Sequence, residues 1–208
     1  MSESIIKCFG IPVYAEVLSD NTVSFIHQEV SEAMNTTMFL KPGVQKLNEK
    51  SGQLGHAISS NEFNGDWILE KECNFFVSTL DICIQKYLQI IGKKPNKTYT
   101  RKSWINQFVQ NSFAHTHNHA TADISGVYYV KTTGEDGQLF FETPVGETNC
   151  SPLWTELSNN VAVTPQVGKM VLFPGWLNHG VTQNFTTDHR VSVSFNINFF
   201  PKWNLHKN

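Results

Sequence analysis

The stretch Lys169-Met-Val-Leu-Phe-Pro-Gly-Trp-Leu-Asn-His179-Gly-Val-Thr-Gln-Asn-Phe-Thr-Thr-Asp-His-Arg190-Val-Ser-Val-Ser-Phe-Asn-Ile-Asn-Phe-Phe200 decides the fold. From Arg190 to Phe200 polar and apolar residues alternate, the period of a strand with one face on a core. Ahead of it, Lys169–Phe173 is a short apolar run stopped by Pro174-Gly175, and His179–Gln183 resumes the β pattern. Short strands spaced by turn residues predict an antiparallel sandwich or barrel.

The same texture reaches back to residue 98. Thr98–Val109, Ile124–Thr132 and Gln138–Glu142 read as strands, and Gly134-Glu-Asp-Gly137 predicts a hairpin between the last two. Thr143–Pro165 contains Trp154, three prolines and three asparagines and is too long for an ordinary hairpin loop. Loops of that length are often functional.

Before residue 98 the pattern is mixed. Ile11–Leu18 predicts an edge strand, and Thr22–Met34 a helix with Val23, Ile26, His27 and Val30 at helical spacing. Lys41–Asp66, rich in Gly, Ser and Asn, reads as loop. Trp67–Ile91 predicts one long helix whose core stripe is Phe76, Leu80, Ile84, Leu88 and Ile91, closed by Gly92. The expected organisation is a single domain over 1–208, with 1–97 as mixed helical support and 98–200 as the β core.

With 16 Lys+Arg against 18 Asp+Glu, the net charge of -2 offers no general attraction to nucleic acid or to an anionic membrane. No apolar run reaches the ~18 residues of a membrane span, and the first residues lack the basic and apolar regions of a secretion signal. Cys8, Cys73, Cys83 and Cys150 form no C-x-x-C pair, so reduced thiols are expected rather than a thiolate metal site. A soluble, cytoplasmic protein follows as an expectation. Self-association is left open.

Histidine carries the chemistry. His115, His117 and His119 alternate, and residues i and i+2 of a strand share a face, so His117 and His119 suit one metal ion. His179, opening a strand after a Pro-Gly turn, is the third candidate ligand. A solvated polar strand end is the bland reading of one histidine; three alternating histidines and a fourth at a strand start weigh against it. A structural zinc site is disfavoured by the loose spacing and the lack of cysteine.

Arg190 lies eleven positions beyond His179. If Gln183 pairs with Arg190, the two residues share a face about 13 Å apart, room for a small dicarboxylate that chelates the metal and meets the guanidinium fork. Ser192 faces the same way, and Ser194 follows it; plain alternation of strand polarity explains the two serines equally well. Without its spacing from His179, Arg190 would read as a surface arginine.

These residues carry a family pattern. His179 followed by Arg190-Val-Ser192 resembles the distal-histidine and R-x-S signature of 2-oxoglutarate/Fe(II) oxygenases. Ser103-Trp-Ile-Asn106, His117-x-His119 with Asp123-Ile-Ser-Gly-Val-Tyr-Tyr129, and Phe173-Pro-Gly-Trp-Leu-Asn-His179-Gly-Val resemble a family of small oxygenases of that kind, over about residues 100–200. The resemblance implies a mainly β protein with N-terminal α elements, a double-stranded β-helix (jelly roll, cupin-like) with helices packed on one sheet. It implies Fe(II) and 2-oxoglutarate as cofactors and dioxygen as co-reactant. Oxidative decarboxylation of 2-oxoglutarate to succinate and CO2 would drive oxidation of a small-molecule or amino-acid-type substrate.

One departure from the pattern stands out. Most of the superfamily writes the metal motif H-x-D, whereas the third position here is His119. Asp123 is an alternative ligand, and His115-x-His117 has the same geometry as His117-x-His119. Asn106 and one of Tyr128 and Tyr129, with Tyr128 preferred, are candidate donors to the cosubstrate, although core packing also explains strand aromatics. Trp154 and Trp176 are placed at the substrate entrance or over the barrel end. A cupin-like three-histidine enzyme without 2-oxoglutarate and a non-enzymatic metal-binding jelly roll are the rival readings.

Overall fold

A computed structural model of the chain describes residues 3–8, 10–37, 57–60, 65–144 and 161–200. Eleven strands run through them: β1 (Glu3–Cys8), β2 (Ile11–Val17), β3 (Ile58–Ser59), β4 (Tyr99–Phe108), β5 (Ala114–His117), β6 (Ile124–Lys131), β7 (Leu139–Phe141), β8 (Val161–Val163), β9 (Lys169–Pro174), β10 (His179–Val181) and β11 (Arg190–Phe199). They form two sheets with antiparallel pairing, one in the order β1-β2-β9-β6-β11-β4-β3 and the other β5-β10-β7-β8. This is the double-stranded β-helix expected.

Among the described residues three helices accompany the larger sheet: α1 (Asp20–Asn35), α2 (Trp67–Glu70) and α3 (Asn74–Ile90). The side chain of Ser19 caps α1 by accepting from the Thr22 amide. Glu29 of α1 caps α3 in turn, its carboxylate accepting from the Phe75 and Phe76 amides at 2.8 and 2.9 Å. Ser103 anchors α2 to β4: its hydroxyl accepts from the Ile68 amide and donates to Asp66, which also pairs with Arg101 at 2.7 Å.

Period-2 alternation then sorts the larger sheet into two faces. Tyr14, Ile105, Ile124, Tyr128, Met170, Leu172, Val191, Val193, Phe195 and Ile197 pack with Ile26, Val30, Phe76, Leu80, Ile84 and Leu88 of the helices. From the other face, Val13, Ala15, Tyr129, Val171 and Phe173 meet Leu139, Phe141 and Val163 of the smaller sheet. Alternating with the apolar residues of β11, the series Arg190, Ser192, Ser194, Asn196, Asn198 points between the sheets.

Several expectations are corrected. The helix predicted over Trp67–Ile91 breaks after Glu70, where Glu72 adopts φ 56° and the Cys73 amide reaches the Ile68 carbonyl, a Schellman stop made without glycine. Gly134–Gly137 is a turn but no hairpin, because β6 lies in the larger sheet and β7 in the smaller one. The buried Asp136 carboxylate shapes that corner by accepting from the Thr132 hydroxyl and the Thr133 amide. Ile11–Leu18 is not an edge strand: β2 sits between β1 and β9. Nor do His179 and Arg190 share a ladder, since β10 pairs with β5 and β7 while β11 pairs with β4 and β6. Asn184 carries the chain between the sheets, exchanging backbone hydrogen bonds with Asn111 and Ser112.

A histidine triad and a buried arginine in one cavity

His117 ends β5 and His179 opens β10, and the two are direct cross-strand partners, so their rings face the same way with centroids 4.5 Å apart. His119 lies two residues beyond the end of β5 rather than on it. Its amide donates to the Gly175 carbonyl at 2.7 Å and its carbonyl accepts from Ala122, which folds the turn back and sets the third ring 5.1 and 5.2 Å from the other two. One nitrogen of each imidazole then lies within 4.8 Å of the others.

Backbone carbonyls orient two of the rings. Nδ1 of His117 meets the His115 carbonyl at 2.7 Å, and Nδ1 of His179 the Leu177 carbonyl at 2.8 Å. A carbonyl only accepts, so Nδ1 carries the proton and Nε2 keeps its lone pair in each. Phe173 packs on His179 with centroids 4.7 Å apart. Burial holds the protonated forms down, with mutual repulsion adding to it: His119 falls to about 4 and His179 to about 3, and burial lowers His117 as well. At neutral pH the cluster is three uncharged nitrogen donors, a set suited to Fe(II), Zn(II), Ni(II) or Cu(II).

His115 and Asp123, the competing ligands, stand elsewhere. His115 is exposed and packs edge-on against Phe113 at 4.7 Å. The Asp123 carboxylate accepts from the Phe199 amide at 2.9 Å, at the end of β11.

Arg190 lines the same cavity, of about 470 Å³, and is 1% exposed. Its guanidinium lies 4.0 Å above the Phe108 ring, and Nη1 donates to the Gly137 carbonyl at 2.6 Å. Nε has no partner, and no carboxylate pairs with the group among the described residues. The buried Asp136 carboxylate acts on it only through space, and burying a guanidinium with no carboxylate in contact is costly, so the geometry leaves room for one to be delivered.

Ser192 pairs in register with Asn106 of β4 and Tyr129 of β6, and all three line the cavity beside Arg190. Asn106 donates to the Ser194 hydroxyl at 3.0 Å, while its Oδ1 is buried without a partner. Tyr128, preferred from the sequence, faces the other way, against Phe76 at 5.0 Å and His27 at 6.1 Å in the helix-side core. Tyr129 takes the inward position, and burial pushes its phenol up to about 12, leaving a neutral hydroxyl donor. Parity identifies it: Ile124 and Tyr128 are an even number of residues apart and share the apolar face. Trp104, which the sequence reading passed over, also lines the cavity, 5.8 Å from His119. Trp176 is 51% exposed and does not line it. Trp154 and most of the loop around it lie outside the described residues.

The fold recurs in solved structures of low sequence identity. A prolyl-4-hydroxylase of Pseudomonas putida superposes with a TM-score of 0.59 at 13% identity, covering 91% of this chain and 93% of that one. A prolyl hydroxylase of Trichoplax adhaerens, in complex with a hypoxia-inducible factor peptide fragment, gives 0.60 at 16%, covering 94% and 82%. HygX of Streptomyces hygroscopicus, with nickel and 2-oxoglutarate bound, gives 0.57 at 13%, covering 90% and 83%. No curated protein matches the sequence. The model of the family described as "Putative 2OG-Fe(II) oxygenase" matches residues 102–196, the span that contains His117, His119, His179, Arg190 and Ser192.

Proposed function

We propose that the protein is a hydroxylase in which His117, His119 and His179 hold Fe(II) through Nε2, and Arg190, Ser192, Asn106 and Tyr129 receive 2-oxoglutarate. The observation that carries this reading is a buried arginine with no carboxylate in contact, in the same cavity as three neutral imidazoles. When bound, iron and 2-oxoglutarate supply the oxidative decarboxylation that yields succinate and CO2 and oxidises a substrate C–H bond.

The chain's own residues hold and orient. Arg190 neutralises the far carboxylate of the cosubstrate, and stacking on Phe108 fixes its plane for a two-point contact. Tyr129 and Ser192 add hydroxyl donors beside it. The carbonyls of His115 and Leu177 keep two imidazoles in the ligating tautomer. Phe173, Leu139 and Val181 line the cavity with apolar surface, which lowers the local dielectric and strengthens each charged contact.

An amino-acid or peptide side chain is the substrate class we favour, supported by the prolyl hydroxylases among the similar folds. Cytoplasmic residence is proposed from the free buried thiols of Cys73 and Cys83; no helix among the described residues is long and apolar enough to cross a membrane. The test is iron content together with succinate release from 2-oxoglutarate under oxygen. Wild type binds one iron and releases succinate, and His179→Ala loses both. Tight zinc binding with no succinate under iron would favour the three-histidine cupin reading instead.

A further inference from the structure

We infer that the outer half of the cavity is a subsite for an anionic substrate group, with Lys102 supplying the charge and Asn196 an oriented amide donor; this rests on reading the site as an oxygenase. Lys102 of β4 pairs in register with Asn196 of β11, and Asn196 with Ser125 of β6, so the three stand side by side on the cavity face. The Ser125 hydroxyl donates to Asn196 Oδ1 at 2.7 Å. That fixes the amide with its Nδ2 left over as a donor. Lys102 is exposed at the mouth and has no ion pair among the described residues. Among those residues no Asp or Glu lines the cavity.

The histidines divide this space. Trp104, 5.8 Å from His119, lies between Lys102 and Asn106 on the cavity face of β4, and the next cavity-facing position is Phe108 under the Arg190 guanidinium. Lys102 and Arg190 therefore mark opposite ends, six positions or about 20 Å apart along the sheet, with the triad above the middle. One cation is committed to the cosubstrate. The other faces the space left for the substrate, in a compartment with donors and no negative charge, where a carboxylate is favoured over its neutral counterpart.

The test uses the full ¹⁵N-labelled chain loaded with Zn(II), which is diamagnetic, and 2-oxoglutarate. N-acetylglycine and N-acetylglycinamide, which differ by one charge, are titrated while the Asn196 and Asn198 side-chain amide signals are followed. The carboxylate is expected to bind about two- to fivefold more tightly, the range for a partly exposed charge pair. Lys102→Gln should erase the difference and Lys102→Arg restore it. Equal affinity for the two probes, no shift with either, or a preference unchanged in Lys102→Gln would overturn the proposal. Cosubstrate binding is read separately from the Arg190 backbone amide during loading, so failure of the oxygenase reading and failure of the Lys102 subsite are distinguishable.

Discussion

The amide of His119 donates to the carbonyl of Gly175 at 2.7 Å, tying the third imidazole to the turn that leads into β10 and His179. A Cβ on Gly175 would fall 2.8 Å from the His119 carbonyl and closer still to that of Ala122. Gly175→Ala should therefore force the His119 turn outward. We expect a loss of about 1–3 kcal/mol in unfolding free energy, and iron binding weakened about 10- to 100-fold. Chemical denaturation and metal titration of the same preparation check the two effects.

The two adjacent tyrosines separate by face. Tyr128→Phe removes a buried hydroxyl that has no partner and should leave stability unchanged or slightly raised, with 2-oxoglutarate affinity intact. Tyr129→Phe should weaken 2-oxoglutarate by about tenfold, the value of one hydrogen bond to a charged group. Isothermal titration on the two variants decides it. A larger effect from Tyr128→Phe would contradict the assigned faces.

Replacing the competing ligands should spare the metal. His115→Ala and Asp123→Ala are expected to keep full iron content, Asp123→Ala at a cost of no more than about 1 kcal/mol, because water can replace the carboxylate at the exposed Phe199 amide. His119→Ala should lose iron, whereas His119→Asp should retain it, since a carboxylate there restores two imidazoles and one carboxylate. Iron analysis after gel filtration is the readout.

Gly137→Ala tests the support of Arg190. Gly137 sits at φ 100°, and an added Cβ would lie 2.5 Å from the Thr182 carbonyl and 3.2 Å from Arg190 Nη1. A melting temperature lowered by several degrees and a raised Kd for 2-oxoglutarate are expected together.

Legibility in the sequence followed locality. Alternation exposed β11, an apolar run stopped by Pro-Gly exposed β9, and the Phe76-Leu80-Ile84-Leu88 stripe exposed α3, because each signal lies within one element. The residues of the site were readable as chemistry: three histidines and an arginine. Which strands pair was not. Gly134–Gly137 has the composition of a hairpin, yet the chain there changes sheets, and no local pattern reports whether a turn returns to its own sheet. The ladder drawn from His179 to Arg190 failed for the same reason. β5, only four residues long, and β8, inside a segment read as loop, were too short for periodicity to show. The inward tyrosine is legible from parity alone, since Tyr128 shares the apolar face with Ile124 and Tyr129 does not.

The central claim is that the triad and Arg190 act on one cosubstrate. Anaerobic titration of 2-oxoglutarate into the Fe(II)-loaded protein, followed through the visible charge-transfer band of the chelate, tests it most directly. Wild type is expected to give a saturable band, and Arg190→Ala the same band only at concentrations higher by about tenfold or more. No band with wild type, or a titration curve unchanged in Arg190→Ala, would contradict it.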